Sequence, residues 1–189
     1  MYLISYGTRP ELIKLFPLIN IFKENNIDHK TIFTGQHEDL IKEFENLTHR
    51  PDFVLEKTMK HKQSINSLIY KIINESQKII NSYDCKVIIQ GDAASSFAVA
   101  LSAFNEGKEV IHVEAGLRTH NLRSPFPEEG FRKMISHISN IHFCPTIKSV
   151  ENLKNEGITE NVHLVGNTIV DSCAQIIEKG ESSDYLNEL

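Results

Sequence analysis

The sequence predicts an α/β protein in which a parallel sheet is flanked by helices, and three observations lead there. Short apolar runs alternate with longer stretches of helical periodicity, the pattern of strand-helix units wound into one sheet. No fixed-period repeat, low-complexity tract or Pro/Gly-rich linker interrupts that alternation before the end of the chain. The 189 residues, 40% hydrophobic and 24% charged, are enough for one substantial core of ordinary globular composition. Residues 1–175 read as one domain and 176–189 as a tail or the start of a linker, with Gly180 to Leu189 reading as polar tail.

The first strand, Tyr2 to Tyr6, runs into Gly7-Thr8-Arg9-Pro10-Glu11 and a helix to Glu24. Gly7 permits close backbone approach, and Pro10 suits the first turn of that helix. Arg9 beside a helix N-terminus makes a phosphate or carboxylate site, although the pentapeptide alone also describes a capped helix with a solvated arginine. A second strand, Lys30 to Phe33, leads through Thr34-Gly35-Gln36-His37 into a helix at Glu38 to Glu45; by itself this is a turn with an exposed histidine. The third strand, Phe53 to Leu55, precedes a long helix at Ser64 to Ser82, whose Leu68, Ile69, Ile72, Ile73 and Ile79 form an apolar stripe for the sheet. After the fourth strand, Lys86 to Gln90, Gly91-Asp92 opens the helix Ala94 to Asn105. Asp92 is placed either at the mouth of a crevice or as that helix's N-cap.

The fifth strand, Glu109 to Val113, ends in the richest segment, His112-Val113-Glu114-Ala115-Gly116-Leu117-Arg118-Thr119. Glu114 at the end of an apolar strand is suited to proton transfer if partial burial raises its pKa, and strand alternation puts His112 on the same face. A buried ion pair between Glu114 and Arg118 is the competing structural role. Ser124-Pro125-Phe126-Pro127-Glu128-Glu129 then opens a helix to Asn140 that also carries Arg132. The helix dipole favours acids in its first turn, so at least one of Glu128 and Glu129 is expected to be structural. The sixth strand, Ile141 to Cys144, the helix Lys148 to Glu156, the seventh strand, Val162 to Val165, and the helix Thr168 to Glu178 complete the alternation.

A formal charge of -5, from 20 basic and 25 acidic residues, argues against a nucleic-acid partner. No apolar run approaches bilayer-spanning length, and the opening MYLISYGTRPELIK lacks the plan of a signal peptide, so a cytoplasmic protein without a membrane partner is expected. Cys85, Cys144 and Cys173 are odd in number and far apart, which reads as three core thiols. The pairs His112 with Glu114 and His137 with His142 lack a recognised zinc spacing, so no metal is expected. No P-loop, dinucleotide fingerprint or G-x-S-x-G elbow occurs.

Each loop is weak alone, but together and in order GTRPE, TGQH, GD, HVEAGLRT, SPFPEE and VGNTIVD closely resemble the non-hydrolysing UDP-N-acetylglucosamine 2-epimerases, over residues 1 to about 171. The resemblance implies a Rossmann-like domain, one half of a glycosyltransferase-B-type two-domain enzyme whose active site lies in the cleft between the halves. It implies interconversion of UDP-GlcNAc and UDP-ManNAc without NAD or metal, by elimination of UDP and its return. It also implies Asp92, Glu114 and Glu128 as catalytic carboxylates, and Gly7, Thr8, Arg9, His37, Arg118 and Arg132 as substrate-binding residues. A homodimer in contact largely through this domain is implied as well.

Two departures from the family pattern stand out. The GHRRE-like and DSGGxQEE-like segments of the family's nucleotide-binding C-terminal domain do not occur in these residues, so that domain is expected to be absent. Glu38, Asp39, Lys42 and Glu43 stand where substrate-activated members carry glutamines, which leaves room for a sister UDP-sugar specificity. Alternatives left open are an inactive or split single-domain remnant, a hydrolysing relative, and a glycosyltransferase of the same architecture.

Overall fold

The computed structural model describes residues 1–35, 50–55 and 63–178. Its strands are β1 (Tyr2–Tyr6), β2 (His29–Phe33), β3 (Phe53–Val54), β4 (Lys86–Gln90), β5 (Val110–Val113), β6 (Ile141–Cys144) and β7 (Val162–Leu164). Its helices are α1 (Arg9–Glu24), α2 (Ile65–Asn81), α3 (Ala94–Asn105), α4 (Glu128–Ile138), α5 (Ile147–Asn155) and α6 (Thr168–Glu178). The boundaries agree with the sequence expectation to within one or two residues, the scatter that fraying ends produce. The expected helix at Glu38 to Glu45, and His37 before it, lie outside the described residues. Helix α6 runs on to Glu178, so the expected boundary at residue 175 falls inside its last turn.

The strands pair in parallel in the order β3-β2-β1-β4-β5-β6-β7. This is a Rossmann-like sheet: the chain winds outward from β1 in one direction, returns through α2, and winds outward from β4 in the other.

Alternate residues of the strands feed two apolar clusters, because successive side chains point to opposite faces. Leu3, Ile32, Val87, Ile89 and Val110 meet α2, α3 and α4 through Leu68, Ile72, Ala98, Ala103, Phe131 and Ile135. Ile4, Phe33, Ile88, Ile111 and Val113 meet α1 through Leu12, Leu15 and Ile19. The stripe expected on α2 is the buried one, extended by Ser76 and Ile80, while Ile69, Ile73 and Ile79 stay partly exposed at its margins. Burying one such Leu or Ile side chain contributes roughly 1.5–3 kcal/mol, so these two layers hold the strand ends in register.

Cys85 and Cys144 are buried as expected, whereas Cys173 on α6 is exposed. Helix α6 packs across α1, where Asn20 Nδ2 donates to Gln175 Oε1 and Ser172 Oγ donates to Ile13 O. Position 173 is left facing outward.

Candidate active site

The C-terminal ends of β1, β4 and β5 lie side by side, and the strand order reverses between β1 and β4. Loops leaving the sheet at such a switch point diverge to opposite faces and leave a crevice for a ligand.

Glu114 occupies that crevice. It follows β5 with a φ of 67°, a left-handed conformation that costs a residue with a side chain about 1–2 kcal/mol. Strand alternation would place it with His112, but this backbone turn brings its carboxylate to side chains of the α1 face. Lys14 Nζ of α1 donates to its two oxygens at 2.8 and 2.7 Å, Asn167 Nδ2 donates to Oε1 at 3.1 Å, and Gln90 Nε2 makes a short hydrogen bond to Oε2. His112 instead lies fully buried on the opposite face, hydrogen-bonded through Nε2 to Gly91 O at 2.8 Å. Burial pushes its pKa down to about 3, so its ring is neutral and Nε2 carries the proton that Gly91 O accepts.

Asp92 does not cap α3, whose N-cap is Ala93. Its carboxylate accepts from Arg132 Nε at 2.6 Å with the side chain 28% exposed. Arg132 Nη1 also reaches Glu129 Oε2 at 3.3 Å. Glu129 is the structural member of the acidic pair. It is fully buried, and its oxygens accept from the backbone N–H groups of Thr119 and His120, both at 3.0 Å. Glu128 beside it is half-buried and has no hydrogen-bond or ion-pair partner among the described residues.

Gly7, Thr8 and Arg9 form the turn between β1 and α1, with Thr8 as N-cap and Arg9 as the first helical residue. A Cβ on Gly7 would stand 2.1 Å from Thr34 Oγ1 and 2.9 Å from Ser95 Cβ, so only glycine lets the turn press against the start of α3.

Arg118 departs from both expectations made for it. Its side chain is fully buried and pairs with Glu156 of α5, not with Glu114: Nε donates at 3.0 and 3.1 Å and Nη2 at 2.6 Å. Nη2 also donates to Ser136 Oγ and Nη1 to Leu117 O. Arg118 is therefore an internal tie between the β5 loop, α4 and α5, and its guanidinium does not face the crevice.

The structure thus places Glu114, Asp92, Glu128, Arg132 and the Gly7-Thr8-Arg9 turn at the C-terminal end of the sheet. A model of the UDP-N-acetylglucosamine 2-epimerase family matches residues 20–188. The chain belongs to the UDP-N-acetylglucosamine 2-epimerase family. It is 37% identical to the UDP-N-acetylglucosamine 2-epimerase of Campylobacter jejuni over 94% of this chain and 47% of that relative. It is 39% identical to that of Salmonella borreze over 94% of this chain and 48% of the relative. The crystal structure of UDP-GlcNAc 2-epimerase from Neisseria meningitidis bound to UDP-GlcNAc superposes with a TM-score of 0.88 at 36% identity, over 94% of this chain and 50% of that one. The Methanocaldococcus jannaschii enzyme in complex with UDP-GlcNAc and UDP gives 0.87 at 36% identity, over 100% and 52%. The chain spans about half the length of the curated relatives it matches.

Lys14, Gln90 and Asn167 contact Glu114 in the crevice, and the sequence reading did not single them out. Lys14 shares a face of α1 with Glu11 one turn earlier, but only the packing of that helix on the sheet brings it to Glu114, 100 residues on. Asn167 sits inside the VGNTIVD segment, where its Oδ1 also accepts from Ile169 N at 3.1 Å at the start of α6. A cavity of about 420 Å³ opens at the opposite, N-terminal end of the strands, lined by Met1, Lys86, Lys108 and Glu109 among others. Lys86 and Glu109 neutralise one another there at 2.8 Å, and none of the crevice carboxylates reaches it.

Proposed function

We propose that this chain is the amino-terminal part of a non-hydrolysing UDP-GlcNAc 2-epimerase that interconverts UDP-GlcNAc and UDP-ManNAc. The observation that carries this reading is the crevice itself, where Glu114 is held by Lys14, Gln90 and Asn167 beside the Asp92–Arg132 pair. C2 of the sugar is not next to a carbonyl, so a base alone cannot remove its proton. The C1–O bond must break as well, and its electron pair leaves with the diphosphate. In the proposed route one carboxylate takes the C2 proton, UDP departs to leave a 2-acetamidoglucal, a second acid delivers a proton to the other face of C2, and UDP returns to C1. Carboxylates near C1 stabilise the positive charge that develops on the ring. Glu114, Asp92 and Glu128 supply these groups in our reading, while Arg9 and Arg132 offer guanidinium donors to the diphosphate. Glu114 and Asp92 each already face a cation, an arrangement that orients the carboxylates before substrate arrives.

We place residues 1–175 as the domain that carries these acids, with the nucleotide held by a further domain of the kind that makes up the rest of the relatives' length. The substrate would be a cytoplasmic nucleotide sugar destined for polysaccharide precursors. Among the described residues no helix is long and apolar enough to cross a membrane. A homodimer through the α2–α4 face is consistent with the exposed Tyr70, Phe104 and Met134 on those helices, and sedimentation of the purified chain tests it.

The deciding experiment incubates the chain with UDP-GlcNAc in deuterated water and follows C2 by NMR. Deuterium at C2 with UDP-ManNAc appearing is the expected result once the nucleotide-binding half of a relative is joined to the chain. The same fused protein, folded yet releasing free sugar without C2 exchange, would overturn the epimerase reading in favour of a hydrolase. The half-length match favours one second reading, that the chain alone is inactive, and exchange by the unfused chain excludes it.

A further inference from the structure

Among the described residues Glu11 has no salt-bridge partner. The residue is 3% exposed, and the groups that contact its two oxygens are Gly7 N at 2.5 Å, Thr8 N at 3.1 Å, Ser96 Oγ at 2.9 Å and Ser95 Oγ at 3.3 Å. A glutamate at the third position of a helix ordinarily reaches back to the N-cap amide from the surface, and Thr8 N alone would satisfy that role. Here the same side chain is buried and also takes two hydroxyls from the first turn of α3, which are 1% and 4% exposed. It therefore lies beside the N-termini of two helices, whose free amides and dipoles favour a negative group. Burial raises its carboxyl above the ordinary range, and the hydrogen bonds from Gly7, Ser96, Thr8 and Ser95 oppose that shift.

These contacts join two loops that diverge from the switch point. On one side is the turn that carries Arg9. On the other is the start of α3, two residues after Asp92. Ser96 Oγ also lies 2.7 Å from Gln90 O, and Gln90 is the residue whose side chain holds Glu114. The absence of room for a Cβ on Gly7, against Thr34 and Ser95, shows how closely the two loops are pressed together.

We propose that Glu11 is a positioning residue that staples the Arg9 turn to the start of α3, and so fixes Arg9, Asp92 and Gln90 relative to one another across the switch point. The catalytic consequence rests on the epimerase reading above; the staple itself does not. Glu11 touches no reacting atom in this account and acts through the residues it aligns.

The variant that tests this is the double replacement Ser95→Ala with Ser96→Ala, which removes the α3 half of the staple and leaves the Thr8 cap intact. Amide hydrogen exchange of the full chain is read by NMR. Gly7 and Thr8 are expected to lose about tenfold in protection, the equivalent of one hydrogen bond of about 1.4 kcal/mol, while Leu3, Ile4 and Ile88 in the strands keep theirs. Unchanged protection at Gly7 and Thr8 would reduce Glu11 to a local helix cap and overturn the proposal. Glu11→Ala, which removes all four contacts, is expected to give at least the same local loss, and unchanged protection at Gly7 and Thr8 in Glu11→Ala overturns it equally. In the fused, active enzyme the serine variant should lower the rate of C2 exchange at saturating UDP-GlcNAc at least fivefold with little change in melting temperature. A full rate despite loosened amides would sink the positioning role. If the parent fused enzyme shows no exchange, the functional reading fails while the amide measurement still decides the staple.

Discussion

Of the three carboxylates proposed for catalysis, Glu114 is the one held by the most side chains. Its left-handed backbone turns the carboxylate away from His112 and toward Lys14, Gln90 and Asn167, so three donors set its orientation. Glu114→Gln keeps the volume and one acceptor oxygen but cannot accept a proton. In an active fused enzyme it should lower C2 deuterium exchange at least about a hundredfold, the usual contribution of a positioned acid or base. Exchange within a few-fold of the parent would remove Glu114 from the mechanism. In the sequence Asp92 and Glu114 stand just beyond strands and Glu128 opens a helix, and those positions, with an order that matches a family pattern, are what single them out as candidates. Lys14 was not legible in the sequence, since its partner lies 100 residues further along the chain, and only the packing of α1 on the sheet brings the two together. Arg118 misled for a related reason: four residues from Glu114 in sequence, it reaches 38 residues ahead to Glu156 instead.

At the scale of elements, the β5 loop is held from behind by α5. A Cβ on Gly116 would stand 2.3 Å from Ser149 O and 2.8 Å from its carbonyl carbon, and its φ of +82° is itself unfavourable for a side chain. Asn152 Nδ2 donates to Gly116 O at 2.9 Å, and Arg118 pins the next turn to Glu156. Gly116→Ala must therefore displace helix backbone and adopt a strained φ, at a combined cost of roughly 2–5 kcal/mol. Urea denaturation should show that loss, and a change below about 0.5 kcal/mol would mean that α5 yields freely. Strand and helix boundaries were legible because glycine, proline and acidic residues punctuate them. The largest departures are two residues: α1 takes in Arg9 and Pro10 ahead of the expected Glu11 because Thr8 is the N-cap, and α4 stops at Ile138 before the expected Asn140. The face of the fifth loop was not legible, because strand alternation stops applying at the first residue with positive φ.

Across the whole molecule, buried ionisable groups on the α4–α5 side make stability depend on pH in a defined direction. Burial holds His112 neutral with a pKa of about 3 against an ordinary 6.5. The unfolded chain binds that proton first, so the stability tied to the neutral ring is present above 6.5 and is lost as pH falls toward 3. Glu156 follows the same sign lower down. Its hydrogen bonds with Arg118 are the largest cause that brings its pKa from 4.5 to about 2, so its contribution is present above 4.5 and fades as pH falls through 2. Glu11 runs the other way, because its raised carboxyl favours the folded state as pH falls. Urea midpoints measured from pH 8 to 4 should decline steadily below 6.5 in the parent. His112→Gln, which has no proton to gain, should flatten the part of that decline between 6.5 and 4.5 while leaving the steeper loss below 4.5. An identical slope in both proteins would show that His112 is not the group responsible. The two histidines that face one another at His112 and His142 would then have to be titrated individually by NMR, since burial lowers the pKa of both.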